Sequence, residues 1–301
     1  MKKSYFLLHF AVILAGFTGV FGKLISLNEG LLVWYRLLFS SMILFLVVKL
    51  SRITNCITLK EKLAIAKVGM FITIHWVFFY ASIKYSNISV GVVCYCLTSF
   101  FTTVFKPLID SRRFQLSELL LSTFTLFGIG LIFHFDSSYQ LGISLGVISS
   151  AFAALYTIYN ERLVRNYDSK IINYYQMIGG TVGLGVLLPI YLYFFPTKNL
   201  VPDMKDTMFL ILLSLFCTVG LYTLFAEVLK KIPAFTVNLS FNLEPIYTII
   251  LAFLFFNESK EVNASFYGGL TLVMVSVVLQ TLISIRNKTK IVDKQLSLPI
   301  N

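Results

Sequence analysis

Apolar stretches alternate with short polar connectors along the whole chain, at 5–22, 30–50, 64–83, 88–108, 116–135, 141–160, 171–195, 208–229, 235–256 and 265–285. A helix rises ~1.5 Å per residue, so each block is close to the length needed to cross ~30 Å of hydrocarbon. The pattern predicts an all-α integral membrane protein of ten transmembrane helices, with no connector long enough to hold a soluble domain. Lys2 and Lys3, ahead of the first block, superficially fit a secretory signal. That block is too long for a signal core, no A-x-A site follows it, and nine similar blocks come after. It is expected to be the first span, with no cleaved segment. Residues 286–301 are expected to form a short, polar cytoplasmic tail.

Composition supports lipid as the solvent. The chain is 57% hydrophobic and 13% charged with a mean hydropathy of +0.82, whereas soluble domains carry about 25% charged residues. The net charge of +11 does not point to nucleic acid, because the basic residues sit between apolar blocks and assemble no basic, aromatic-interleaved face. They do point to an orientation. Of the Lys and Arg residues outside the spans, 17 fall on the side of the N-terminus and 5 on the other. The positive-inside rule then places both termini in the cytoplasm. The four cysteines, Cys56, Cys94, Cys96 and Cys217, form no C-x-x-C pair and are expected to be buried thiols.

Divided near Phe135, the chain has two halves of five spans, and an odd number inverts the second half relative to the first. Internal echoes support a duplication. Trp34-Tyr35-Arg36 matches Tyr174-Tyr175-Gln176 in placement, and Phe79-Tyr80-Ala81 matches Leu224-Phe225-Ala226 at an offset of 145, which also carries Ser99 onto Glu244. Inverted repeats are a transporter architecture with the solute site where the halves meet.

The residues Asn242-Leu243-Glu244-Pro245-Ile246-Tyr247, the run Asn257-Glu258-Ser259 and Arg36 early in the second span together resemble the EamA-type branch of the drug/metabolite transporter superfamily. Ser99, where that pattern often carries Glu or a neighbouring Pro, and Arg112 or Arg113, near the counterpart of Glu258, depart from it. The resemblance implies a first repeat over 1–135 and a second over 141–285, with spans one to four and six to nine around a central cavity and spans five and ten peripheral. It also implies alternating access for small metabolites, amino-acid-like or related and exported, in the plasma membrane of a bacterium.

Ionisable residues inside a span cost at least ~2.5 kcal/mol each at its centre, so each needs a reason. Glu244, about ten residues into the ninth span, is the first candidate for lining a pathway; the alternative is a protonated or hydrogen-bonded packing residue. Pro245 lacks a donor and is expected to kink the span. Asn238 and Asn242 are expected on one helical face, with Ser240, Glu244 and Thr248 on a neighbouring one. Arg36 offers a donor fork for a solute carboxylate, or snorkels outward, or pairs with a structural carboxylate. His75, among Trp76, Phe79 and Tyr80, is either a proton-coupling or solute-binding group or a neutral packing histidine. Tyr95, Thr98, Ser99, Thr102 and Lys106 fall on one stripe expected to face protein or water. The candidate solute-binding set is therefore Glu244, Arg36, His75, Trp76, Tyr80, Tyr95, Ser99 and Asn242. Lys67, Lys106 and Glu227 are expected to snorkel to the cytoplasmic surface.

Other chemistries find little footing. Gly142-Ile143-Ser144-Leu145-Gly146 matches G-x-S-x-G, but that pattern has meaning only on a strand-to-helix elbow and here it opens a span. Those glycines, with Gly16, Gly19 and Gly22, are expected to allow close helix packing. No P-loop or H-E-x-x-H is present, and His9, His75 and His134 are too far apart for a local metal set. No catalytic group, cofactor or metal is expected. The expected partners are a small-molecule solute, the bilayer and a coupling proton. A channel or membrane sensor is the alternative function, and an intramembrane enzyme a more distant one.

Overall fold

The computed structural model describes residues 2–51, 57–111 and 139–256, together with scattered positions within 113–130 and 267–279. These residues form α-helices and one π-helical segment, with no strand among them. Eight helical spans are long and apolar enough to cross a membrane. Three are single helices, α1 (Lys2–Leu24), α2 (Glu29–Leu50) and α3 (Leu59–Lys84). The fourth span is divided into α4 (Ile88–Tyr95) and α5 (Leu97–Asp110). Helices α6 (Gln140–Leu163) and α7 (Ser169–Phe194) follow. The next span is α8 (Met204–Ser214), a π-helical segment (Leu215–Gly220) and α9 (Leu221–Leu229). The last is divided into α10 (Ala234–Phe241) and α11 (Glu244–Phe256). The fifth and tenth predicted spans lie only partly within the described residues, where those positions are helical. Residues 131–135 and 280–285, with Cys56, Arg112, His134, Asn257-Glu258-Ser259 and the predicted tail, lie outside them.

Polar residues set where the spans begin. Asn28, Thr58, Asn87, Asp168 and Asp203 each cap a helix N-terminus through the side chain, and Thr58 forms a reciprocal capping box with Glu61. Such caps take up backbone donors that a helix leaves unmatched in its first turn. Glycines then allow close approach. A Cβ on Gly69 would lie 2.3 Å from the carbonyl oxygen of Gln176, bringing α3 and α7 backbone to backbone. On Gly146 it would meet Cys94 at 2.5 Å and on Gly22 the Tyr80 ring at 2.4 Å. The Gly142–Gly146 pattern lies wholly within α6, where Ser144 bonds back to the Gln140 carbonyl at 2.9 Å, so it forms helix surface and not an elbow.

Two departures from simple helices matter for the site. In the last described span, Asn242 N–H bonds Leu239 O, Leu243 N–H bonds Ser240 O and Ile246 N–H bonds Leu243 O, a tightened turn that ends one helix and starts the next. Pro245 sits in the first turn of α11, where its missing donor costs least, so the predicted kink is a full interruption. The break falls between Ser240 and Glu244 on the expected face: Ser240 is half-buried and bonds Thr236 O, and Glu244 and Thr248 are buried. The fourth span is interrupted without proline at Cys96, whose carbonyl takes both the N–H and the hydroxyl of Ser99. The two broken spans pair antiparallel, α4 with α11 and α5 with α10.

Candidate functional site

Where the broken spans cross, Asn242 Nδ2 donates to Ser99 Oγ at 3.3 Å, joining the two interruptions directly. Next to this joint lies a cavity of ≈ 20 Å³ bordered by α1, α3, α4, α9, α10 and α11. About 10–15 Å³ suffices for one water, so it admits a water-sized group. Glu244, His75, Trp76 and Tyr95 all line it, as do Thr18 and Tyr222. Glu244 is only 4% exposed, and among the described residues its carboxyl makes no hydrogen bond or ion pair. A carboxyl so far from water and without a protein partner needs a proton, a water or a ligand to complete it.

Arg36 occupies a different position. It is fully buried and does not line the cavity. Its Nε donates to Thr218 Oγ1, one terminal nitrogen to the Tyr80 hydroxyl and the other to the Cys217 carbonyl, each at 2.8 Å, and its guanidinium lies 3.7 Å from the centre of the Trp76 ring. The π-helical segment makes this possible. Leu221 N–H bonds the carbonyls of Phe216 and Thr218, which leaves the Cys217 carbonyl for Arg36. Arg36 thus neither snorkels nor pairs with a carboxylate; it holds Trp76 and Tyr80 in place from within the bundle. Trp76 in turn donates to the Tyr222 hydroxyl at 3.1 Å.

His75 is fixed by α6. Its Nδ1 lies 2.8 Å from Ser149 Oγ, which also donates to the His75 carbonyl at 3.0 Å, while the ring stands 5.3 Å from that of Tyr95. Tyr80, Ser99 and Asn242 are buried beside the cavity without lining it: Tyr80 accepts from Arg36, and Ser99 and Asn242 form the joint. The predicted stripe on the fourth span faces protein, with Thr98, Ser99 and Thr102 at most 1% exposed. Lys106 pairs with Glu161 on α6 at 2.7 Å. Glu227 accepts from Ser169 and Lys230, both at 2.6 Å, and Lys67 is exposed.

Several site residues escape a reading of single residues, among them Thr18, Thr218, Tyr222 and Phe241. The offset of 145 that relates the halves carries Trp76 onto Leu221 and Val77 onto Tyr222, and both Leu221 and Tyr222 line the cavity. That echo was the available signal. A second polar group also becomes visible only in three dimensions. Asn238 donates to Thr102 at 2.8 Å and accepts from Thr157 at 3.0 Å, while Gln176, Asn160 and Tyr156 bond one another.

The fold is shared with known structures. Among 27 matching chains of solved structures, one titled "Crystal structure of protein" has a TM-score of 0.68 over 95% of this chain and 99% of its own, at 11% identity. No curated protein matches the chain. The model of the EamA-like transporter family matches twice, over residues 2–134 and again over 140–282. A chain built of two such repeats, with a polar cavity between broken apolar helices, belongs to the EamA-like transporter family.

Proposed function

We propose that this protein is a secondary transporter that exports small organic solutes, amino-acid-like or related, across the plasma membrane of a bacterium by alternating access. The observation that carries the proposal is the carboxyl of Glu244, without a hydrogen-bond or ion-pair partner among the described residues and lining a cavity where two antiparallel broken spans cross. Interrupted helices near the centre of a repeat interface are where carriers bind solute. In this reading the matched repeats are two inverted sets of five spans, and both termini are cytoplasmic. The antiparallel pairing of the fourth and ninth spans supports that arrangement.

Polar latches bracket the cavity. On one side, Ser26 gives its N–H and hydroxyl to Asp206 at 2.9 and 2.6 Å, Lys84 meets the Leu27 carbonyl, and Tyr191 meets Glu29. On the other, Lys106 pairs with Glu161 and Arg162 with Asp110. Alternating access requires these two sets to open in turn. Glu244 is also the natural carrier of a coupling proton, since a carboxyl at this depth is neutralised either by a proton or by the solute.

Metabolite profiling of cells with and without the protein identifies the solute, and reconstituted vesicles then test the mechanism. Flux should saturate with solute concentration. Glu244→Gln should abolish its dependence on a pH gradient and lower it about tenfold or more with folded yield unchanged. Wild-type flux in that variant removes Glu244 from the mechanism, and flux that never saturates indicates a channel.

A further inference from the structure

The cavity wall is chemically one-sided. Among the described residues its one carboxylate or cationic-type side chain besides the histidine is Glu244, and the histidine's Nδ1 is occupied by Ser149. The nearby cation is turned away: all three guanidinium nitrogens of Arg36 donate to protein oxygens, and Trp76 covers its face. No donor fork in the wall is therefore offered to a carboxylate. Around Glu244 stand five aromatic rings, Trp76, Phe79, Tyr95, Tyr222 and Phe241. They meet edge to face, Trp76 with Tyr222 at 81°, Phe79 with Tyr95 at 71° and Tyr95 with Phe241 at 77°. A ring face carries negative potential, so it attracts a cation and repels an anion.

From these two independent features, a carboxyl with no partner among the described residues and a surrounding aromatic box, we infer that the solute is an organic amine. Its ammonium group sits against Glu244 and the rings, with a hydrophobic body and no carboxylate beside it. The inference rests on the cavity being the solute site, and narrows the amino-acid-like class to amines. A cavity of ≈ 20 Å³ matches the ammonium group alone, so the body is admitted when the bundle opens. An α-carboxylate would lie within the same box, against Glu244 and the aromatic rings, with no cation among the lining residues to receive it.

The chain has two tryptophans, Trp34 and Trp76, so Trp34→Phe leaves one reporter in the cavity wall. Emission of that purified full-length variant is titrated with phenethylamine, 2-phenylethanol and 3-phenylpropionate, which share a ring and differ in charge. Phenethylamine should change Trp76 emission saturably, and the alcohol and the carboxylate should bind at least about tenfold more weakly, a difference of about 1.4 kcal/mol. Adding Glu244→Gln should erase that preference. Equal or tighter binding of 3-phenylpropionate overturns the amine assignment but leaves the cavity as a solute site. Amine selectivity that survives in Glu244→Gln overturns the assignment in the same way. If no probe perturbs Trp76, the cavity is not a solute site and both readings fail. The three-probe comparison leaves Glu244 unchanged, so it decides the charge preference even where Glu244→Gln does not fold.

Discussion

Arg36 and Glu244 are both buried ionisable residues, yet the structure gives them opposite situations. Arg36 has each guanidinium nitrogen bonded, to Thr218, Tyr80 and Cys217, whereas among the described residues the Glu244 carboxyl, facing a cavity, has no hydrogen-bond or ion-pair partner. Removal should therefore have different consequences. Arg36→Ala leaves three buried acceptors without their donor, at roughly 1–3 kcal/mol for each group left unsatisfied. The expected outcome is a large drop in thermal unfolding temperature in detergent and loss of transport for every solute. A stable variant that loses only anionic solutes would instead mean that Arg36 meets solute directly. Glu244 was recognisable in the sequence because the cost of placing a carboxyl inside an apolar block is a local property. The confinement of Arg36 was not, since its partners lie about 44 and 181 residues away along the chain and nothing near Arg36 announces them.

At the scale of elements, the borders of the spans follow from hydropathy and capping, and the eight described spans begin and end within a few residues of the apolar blocks. Their interruptions are less evenly legible. Pro245 announces the break in the last described span, while the break at Cys96 has no proline and is held by hydrogen bonds from Ser99. The contact between α3 and α7 depends on Gly69 in the same non-local way. Its obstacle is backbone, so Gly69→Ala must separate two helices and disturb Gln176, which joins Asn160 and Tyr156. Overpacking of this kind costs about 1–3 kcal/mol. Gly130, with nothing among the described residues within 4 Å of an added Cβ, is the control. Thermal unfolding should show Gly69→Ala clearly destabilised and Gly130→Ala near wild type; equal behaviour of the two would show that α3 and α7 do not approach this closely.

For the whole molecule, the distribution of basic residues predicts an orientation that cysteine labelling can test. The exposed Lys198 should face outward and the exposed Arg165 inward. With a membrane-impermeant maleimide on intact cells, Lys198→Cys should react and Arg165→Cys should react only after permeabilisation; the reverse pattern inverts the topology. Lipid also explains the long apolar faces left uncovered, such as Val182, Val186, Ile190 and Tyr193 on α7, each at least 60% exposed. By itself the sequence determined the apolar spans, the twofold internal repeat, the weak point at Pro245 and the candidacy of Glu244, because desolvation cost, helix length and missing backbone donors are written residue by residue. Only the tertiary structure decided that Arg36 is withdrawn into the bundle, that Tyr222 and Phe241 complete an aromatic wall and that Ser99 and Asn242 join the two breaks. Those pairings arise from which helix faces meet, and in lipid that choice rests on close packing and hydrogen bonds between distant segments rather than on a hydrophobic pattern along the chain.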